Sequence, residues 1–148
     1  PALDRLLQRT RSRGGMKLAP ADRKGVSLLL KALQRGEMVG VLPDQVPNDE
    51  GGVFANFFGK QALTMTLVSK LVARSQARVF CGFVVRLPKS GGFKLTIREA
   101  DKSIYDEDLI TSVSGLNKSV ENCVLTAVEQ YQWEYKRFRR QSDGEKFY

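Results

Sequence analysis

Histidine is absent from this chain of 148 residues, and its absence excludes several kinds of chemistry. Without an imidazole the chain cannot run a Ser-His or Cys-His relay, and it has no histidine ligand for zinc. Long apolar runs are missing too, since the longest, such as residues 79–85, fall far short of the roughly 20 residues that cross a bilayer. The sequence therefore predicts neither a histidine-based catalytic site within the chain nor a membrane-spanning helix.

Cysteine is scarce, with Cys81 and Cys123 each in an apolar setting. Their spacing matches no metal-binding or redox motif, so we expect free buried thiols, no metal site and no cofactor. Free thiols are typical of proteins from a reducing compartment, which indicates the cytoplasm.

Acidic residues are outnumbered, because 24 Lys and Arg face 16 Asp and Glu for a net charge of +8. Residues 1–35 alone hold nine basic and two acidic side chains. Such a segment suits an anionic partner, which can be nucleic acid, phospholipid headgroups or an acidic protein. A solvated basic face with no specific partner explains it equally well.

Hydrophobic periodicity predicts an α/β fold in which a mixed sheet is flanked by helices. A strand, a helix and a second strand at 38–42, 64–75 and 79–87 are typical of a β-α-β unit. A turn at residues 89–92 and a returning strand at 93–99 follow. Further helices are expected at 2–13, from Asp22 to about residue 35, at 108–128 and in the closing segment. With three clear strands, the sheet looks incomplete.

The segment 44–63 reads as a long loop, and long loops in compact domains are usually functional or disordered. Asp44 directly follows the predicted strand, at the edge where α/β proteins place ligand sites. Its carboxylate is suited to bind a substrate hydroxyl, to orient an arginine or only to cap its own turn. The rings of Phe54, Phe57 and Phe58 either line an apolar channel for an acyl chain or fold the loop onto the core.

The block at residues 131–140 mixes aromatic and basic side chains, in the sequence YQWEYKRFRR. The mixture suits stacking on nucleic acid, contact with a membrane interface, or one side of a short helix that docks on the core. The sequence leaves the three interpretations open.

Several of these segments together resemble the bacterial lipid A biosynthesis acyltransferases, the lauroyl and myristoyl transferases of the lysophospholipid acyltransferase superfamily. The motifs occur in the family's order as GVLPDQ at 40–45, GGVF at 51–54, FFG at 57–59 and TMT at 64–66. EQYQW at 129–133 and YKRF at 135–138 are similar to the family's closing signature.

The resemblance implies an enzyme on the cytoplasmic side of the bacterial inner membrane. It would move an acyl chain from acyl carrier protein, or a similar thioester, to a hydroxyl of a lipid A precursor. The family's catalytic pair is a His and an acidic residue in an H-x4-D/E motif. Because this chain has no His, we expect residues 1–148 to be the C-terminal portion of a single acyltransferase domain, inactive alone.

The resemblance implies three substrate-binding residues, of which Asp44 is also indicated by its position. The family's Gly-Arg step reads Thr10-Arg11 here, so Arg11 is the candidate and Arg13 the alternative. Its acidic position after the strand matches Asp44, and Gln45 stands where the superfamily has Gly. The implied partners are acyl carrier protein and the lipid A precursor, with no nucleic acid. The rival hypothesis is a non-catalytic basic module that binds nucleic acid or anionic lipid.

Overall fold

The computed structural model describes Thr10, residues 12–144 and Tyr148. The chain divides into two compact units, Pro1–Val39 and Gly40–Tyr148, although no shift in composition marks a boundary there. The predicted helix at 2–13 lies outside the described residues.

The first unit contains helix α1, Arg23–Gln34, preceded by a 3-10 turn at Arg13–Gly15. The Asp22 carboxylate caps α1 by accepting the Gly25 N–H at 2.8 Å, as the sequence predicts. The chain leaves the helix through Gly36, whose φ of 76° favours glycine. The sequence therefore identified both ends of α1 correctly.

The described residues of the second unit form four strands and two α-helices. The strands are β1 Gly52–Phe57, β2 Lys60–Met65, β3 Phe80–Arg86 and β4 Phe93–Glu99. The helices are α2 Leu67–Ser75 and α3 Leu109–Val124. Among the described residues the strands form two separate antiparallel hairpins, β1–β2 and β3–β4.

The α/β class is confirmed, but details of the predicted topology are wrong. Residues 38–42 form no strand, so the β-α-β unit is absent, and two antiparallel hairpins replace the single mixed sheet. The predicted strands at 79–87 and 93–99 are confirmed as β3 and β4. Helix α2 begins at Leu67 rather than Thr64, because Thr64 belongs to β2 and its side chain is buried.

The predicted long loop at 44–63 is largely a hairpin. Strands β1 and β2 pair in register from Gly52 opposite Met65 to Phe57 opposite Lys60. Phe58 and Gly59 turn the chain with φ of 50° and 77°, the conformation of a two-residue hairpin turn. Glu121 of α3 steadies this turn, since its carboxylate accepts the Phe58 N–H at 2.6 Å.

Helix α3 joins the two hairpins by contacting β1, β2 and β3. Its buried Asn117 donates from Nδ2 to the Asn56 carbonyl and to the Thr64 hydroxyl, both at 2.9 Å. A polar side chain at this depth is stabilised by such bonds, because unsatisfied it would cost about 1–3 kcal/mol. The network therefore fixes α3 across the β1–β2 hairpin.

The closing segment is not a helix. It forms 3-10 turns at Val128–Gln130 and Trp133–Tyr135, and Lys136 then adopts a left-handed conformation with φ of 56°. A left-handed residue interrupts helical propagation. Residues 131–140 instead contact the β1–β2 hairpin through Trp133 and Phe138.

Helix α3 approaches the 3-10 turn Lys102–Tyr105 closely at Gly115. A Cβ at Gly115 would lie 2.5 Å from the Ile104 nitrogen and 2.7 Å from the Ser103 carbonyl carbon. We therefore expect Gly115→Ala to lower the free energy of unfolding by about 2 kcal/mol, because backbone must move to admit the methyl group. Urea unfolding measures the change.

The matched control is Gly40→Ala, since a Cβ at Gly40 would meet nothing within 4 Å. This control should change the unfolding free energy by less than about 0.5 kcal/mol. Equal effects from the two substitutions would contradict the close approach.

Candidate functional site

A cavity of about 260 Å³ lies in the second unit, between residues 41–44, strand β3 and the C-terminal end of α3. Its walls are mainly apolar, and this volume is close to the lower limit for small-molecule pockets. The lining side chains include Val41, Leu42, Pro43, Phe80, Phe83, Val84, Val120, Val124 and Ala127. Three polar side chains, Asp44, Gln130 and Tyr131, join them.

Tyr131 is the polar group most strongly affected by this environment. Burial, together with the nearby Asp44 carboxylate, raises the pKa of its hydroxyl to about 12. The phenol therefore stays protonated at neutral pH and is available to donate a hydrogen bond near a carboxylate. An apolar wall with a donor and an acceptor together is suited to hold an apolar chain that carries a polar group.

The two cysteines also line the cavity, and both are free and half-buried. Burial, together with the neighbouring Cys123, raises the pKa of the Cys81 thiol to about 11. Burial likewise raises the pKa of Cys123. Both thiols are therefore protonated and poorly nucleophilic at neutral pH. Within the described ranges, no three His, Cys, Asp or Glu side chains group as a metal site.

The segment that carries Asp44 is held by the closing part of the chain. The Tyr135 hydroxyl accepts the Val46 N–H at 3.0 Å, and Arg140 forms an ion pair with Asp49. Both contacts bridge about ninety positions of sequence, so they tie the loop after Asp44 to residues 131–140.

Arg137 is the buried residue of the segment 131–140, with 4 % of its surface exposed. Its Nη1 donates to the Leu63 carbonyl at 2.7 Å and its Nη2 to the Thr64 hydroxyl at 2.8 Å. The guanidinium carbon also lies 5.4 Å from the centroid of the Phe57 ring. Burial lowers the pKa of Arg137, while Tyr131 and Asp44 act in the opposite direction. Its charge therefore belongs to the same electrostatic neighbourhood as the cavity.

The aromatic side chains of residues 131–140 pack against the β1–β2 hairpin. Phe138 lies 5.9 Å from Phe57 between ring centroids, and Trp133 lies 5.9 Å from Phe58. Tyr131 meets Trp133 edge to face at 4.8 Å. Of the three interpretations of this block, docking on the core agrees best with these contacts.

The structure brings together few of the site residues predicted from the sequence. Asp44 lines the cavity, whereas Gln45 is exposed and outside its lining. Arg11 lies outside the described residues, and Arg13 begins the 3-10 turn of the first unit.

The three phenylalanines lie in or beside the β1–β2 hairpin and do not line the cavity. Phe57 is 1 % exposed and packs in the core, while Phe54 and Phe58 are half-buried. Their role as an acyl channel stays a prediction.

Sequence reasoning did not identify Tyr131, Arg137 and Phe83 as parts of the site. A signal existed for Phe83, which lies in an apolar strand beside Cys81. Neither Tyr131 nor Arg137 differs in sequence from the other aromatic and basic residues of its block. No helix in the described part of the chain has the length and apolar character to span a membrane.

Comparison with known proteins gives a consistent result. The chain is 32 % identical over 124 residues to the lipid A biosynthesis lauroyltransferase of Escherichia coli K12, covering 83 % of this chain and 40 % of that protein. It is 32 % identical over 148 residues to the lipid A biosynthesis acyltransferase of Haemophilus influenzae Rd, covering 100 % of this chain and 46 % of the relative. For the lipid A biosynthesis palmitoleoyltransferase of E. coli K12, the identity is 29 % over 148 residues, with coverages of 98 % and 48 %.

The chain spans less than half the length of these relatives. The sequence profile of one family matches residues 1–140, which is almost the whole chain. The resemblance seen in the motifs is thereby confirmed, and the chain belongs to the bacterial lipid A biosynthesis acyltransferase family.

Proposed function

We propose that this chain forms the substrate-holding part of an enzyme that transfers a fatty acyl chain to a hydroxyl of a lipid A precursor. The observation that carries the proposal is the cavity that places Asp44 and Tyr131 against apolar walls, in a chain of this family. The acyl donor is a thioester on acyl carrier protein or a similar carrier. The reaction takes place at the cytoplasmic face of the inner membrane.

The walls provided by β3 and α3 hold the acyl chain, because transfer of an apolar chain out of water is favourable there. Phe83 and Val124 are representative of these walls. Phe54, Phe57 and Phe58 then support the β1–β2 hairpin. Asp44 and the Tyr131 hydroxyl face the polar end of the substrate.

The reaction itself needs a base outside this set of residues. The acceptor hydroxyl attacks the thioester carbonyl, its proton passes to the base, and the carrier thiol leaves. The family's H-x4-D/E pair would supply the base, and this chain has no histidine. The 148 residues are therefore inactive alone, as the C-terminal portion of a single acyltransferase domain. Arg11 and Gln45 remain candidates for contacts with the polar part of the acceptor.

The test is acyl transfer from acyl carrier protein to a lipid A precursor, followed by mass spectrometry of the lipid. The complete product of the gene should add one acyl chain to the precursor. The purified 148-residue chain should add none under the same conditions. Turnover by the 148-residue chain would refute its proposed inactivity, and failure of the complete product with every acyl thioester would refute the proposed reaction.

The alternative, a basic module that binds nucleic acid, predicts strong and salt-dependent binding of the chain to single-stranded DNA. The aromatic rings needed for base stacking are engaged with one another and with the hairpin, as for Trp133 and Phe58. We therefore propose that nucleic acid is not a partner, and a fluorescence titration at two salt concentrations tests this directly.

A further inference from the structure

In the part of the chain that the structure describes, one face of the β3–β4 hairpin is apolar and exposed. Exposed side chains alternate along β3, and they lie opposite exposed residues of β4, with Val84 opposite Leu95 and Arg86 opposite Phe93. The large apolar side chains of this face are Phe80, Val84, Phe93, Leu95 and Ile97, all about half exposed or more. Contiguous exposed apolar surface on one face of a sheet is typical of an interaction site. We call Phe80, Val84, Phe93, Leu95 and Ile97 the apolar face.

The outer edge of β3 is open as well. The Leu87 N–H bonds to the Gly92 carbonyl and the Ala100 N–H to the Val79 carbonyl, which sets the phase of the β3–β4 ladder. In this phase the backbone groups of Phe80, Gly82 and Val84 point away from β4. Among the described residues, the hydrogen bonds at this edge are those between Gln130 and Arg86. The Gln130 Oε1 accepts the Arg86 N–H at 2.8 Å, and the Gln130 Nε2 donates to the Arg86 carbonyl at 3.1 Å.

Strand β3 has the charge pattern of a central strand, and β4 has that of an edge strand. Residues 80–85 of β3 carry no charge, which is typical of a strand buried on both faces with neighbours on both sides. Strand β4 alternates apolar residues with charged ones such as Lys94 and Arg98, a pattern that protects an exposed edge. The open edge of β3 is therefore the one suited to receive a further strand.

We propose that the apolar face and the open edge of β3 form the docking surface for the remaining part of the acyltransferase fold. The occupant adds a strand beside Phe80, Gly82 and Val84 and a layer over the apolar face. The relatives supply such an occupant, because more than half of their length lies outside the region that this chain matches. The inference rests on family membership and not on the proposed reaction.

A lipid surface fits these observations less well. A bilayer would cover the apolar face, but hydrocarbon cannot form hydrogen bonds with the backbone groups at the β3 edge. An added strand forms these hydrogen bonds and also buries the side chains of the face.

The open edge of β3 also borders the cavity, since Phe80, Gly82 and Val84 line the cavity that contains Asp44. A strand added there becomes a wall of that cavity.

Hydrogen exchange followed by mass spectrometry tests the docking surface without an activity readout. The two samples are the purified 148-residue chain and the complete product of its gene, purified from the cells that make it with any chain bound to it. In the second sample the Gly82 and Val84 amides should exchange at least about tenfold more slowly than in the first. Strand β4 supplies the internal control. The amides of Leu95 and Ile97 point away from β3, so an added strand beside β3 should not slow their exchange.

Equal exchange of the Gly82 and Val84 amides in the two samples would overturn the proposal. Two additions to the 148-residue chain separate the other occupants. Protection on adding anionic phosphatidylglycerol vesicles would assign the surface to lipid, and protection that rises with protein concentration, together with a dimer in light scattering, would assign it to a second copy. Either result would also overturn the proposal.

A matched pair of substitutions gives an independent measurement. Leu95 on the apolar face is 61 % exposed and Leu125, beyond the end of α3, is 63 % exposed. In the 148-residue chain both Leu95→Glu and Leu125→Glu should leave the melting temperature unchanged, since both side chains already meet water. In the complete product only Leu95→Glu should remove the protection of the Gly82 and Val84 amides. Full protection in the Leu95→Glu protein would contradict the role of the apolar face.

Discussion

Replacing Arg137 with alanine should lower the free energy of unfolding of the second unit by about 3 kcal/mol. The substitution removes the donors to the Leu63 carbonyl and the Thr64 hydroxyl, and these two acceptors lie in the interior. It also leaves a gap beside the Phe57 ring. The Thr64 hydroxyl keeps its hydrogen bond from Asn117, so the loss combines an unsatisfied Leu63 carbonyl with a cavity, and these two mechanisms are common causes of large destabilisations.

Arg139 provides the matched control, because it is the same residue type two positions away and is exposed. Arg139→Ala should cost less than about 0.5 kcal/mol, even though its guanidinium lies 5.2 Å from the Tyr135 ring. Urea unfolding monitored by Trp133 fluorescence measures both variants. Equal unfolding free energies for the two variants would show that Arg137 does not anchor the closing segment.

Asp44→Asn should lower kcat/KM for acyl transfer about a hundredfold in the complete product of the gene, equivalent to about 2.7 kcal/mol of transition-state stabilisation. The amide keeps the shape of the carboxylate and removes its charge, so the cavity keeps its walls while the polar end changes. Asp44 is only partly buried, so the loss of its attraction for the Arg137 guanidinium should lower the unfolding free energy by less than about 1 kcal/mol.

Glu50→Gln makes the same chemical change at an exposed position of the same connecting segment. This control should retain kcat/KM within about twofold. Comparable losses in the two variants would indicate a general effect of charge on this segment. Unchanged activity in Asp44→Asn would remove Asp44 from the site.

The parts of the fold that sequence reasoning predicted correctly are those with local signals. Asp22 and Gly36 mark the ends of α1 because a cap and a left-handed residue act within one turn of the helix. Strands β3 and β4 were recognisable because an alternating pattern flanks a turn with two glycines, residues 89–92. In each case the residues that determine the structure lie within the element itself.

The β1–β2 hairpin could not be predicted because its turn depends on a distant side chain. Phe58 adopts a φ of 50° where asparagine or glycine is usual, and its N–H bonds to Glu121, 63 positions away. Arg137 presents the same difficulty, since its hydrogen-bond acceptors lie 73 and 74 positions earlier in the chain. Nothing in the sequence distinguishes the buried arginine of a basic run from the exposed ones. Asp44 was found because the edge after a strand and the family motif both single it out, although the residues before it form no strand.

The central claim is that the cavity beside Asp44 holds the acyl chain, and photocrosslinking tests it most directly. An acyl chain with a diazirine near its end, carried as the thioester of acyl carrier protein, would be irradiated with the complete product of the gene and the labelled peptides sequenced. The account predicts labels on β3 and on the last turns of α3, at residues such as Phe83, Val120 and Val124. Labels on the β1–β2 hairpin, at Phe54 or Phe58, would contradict it and assign the acyl channel to the phenylalanines instead.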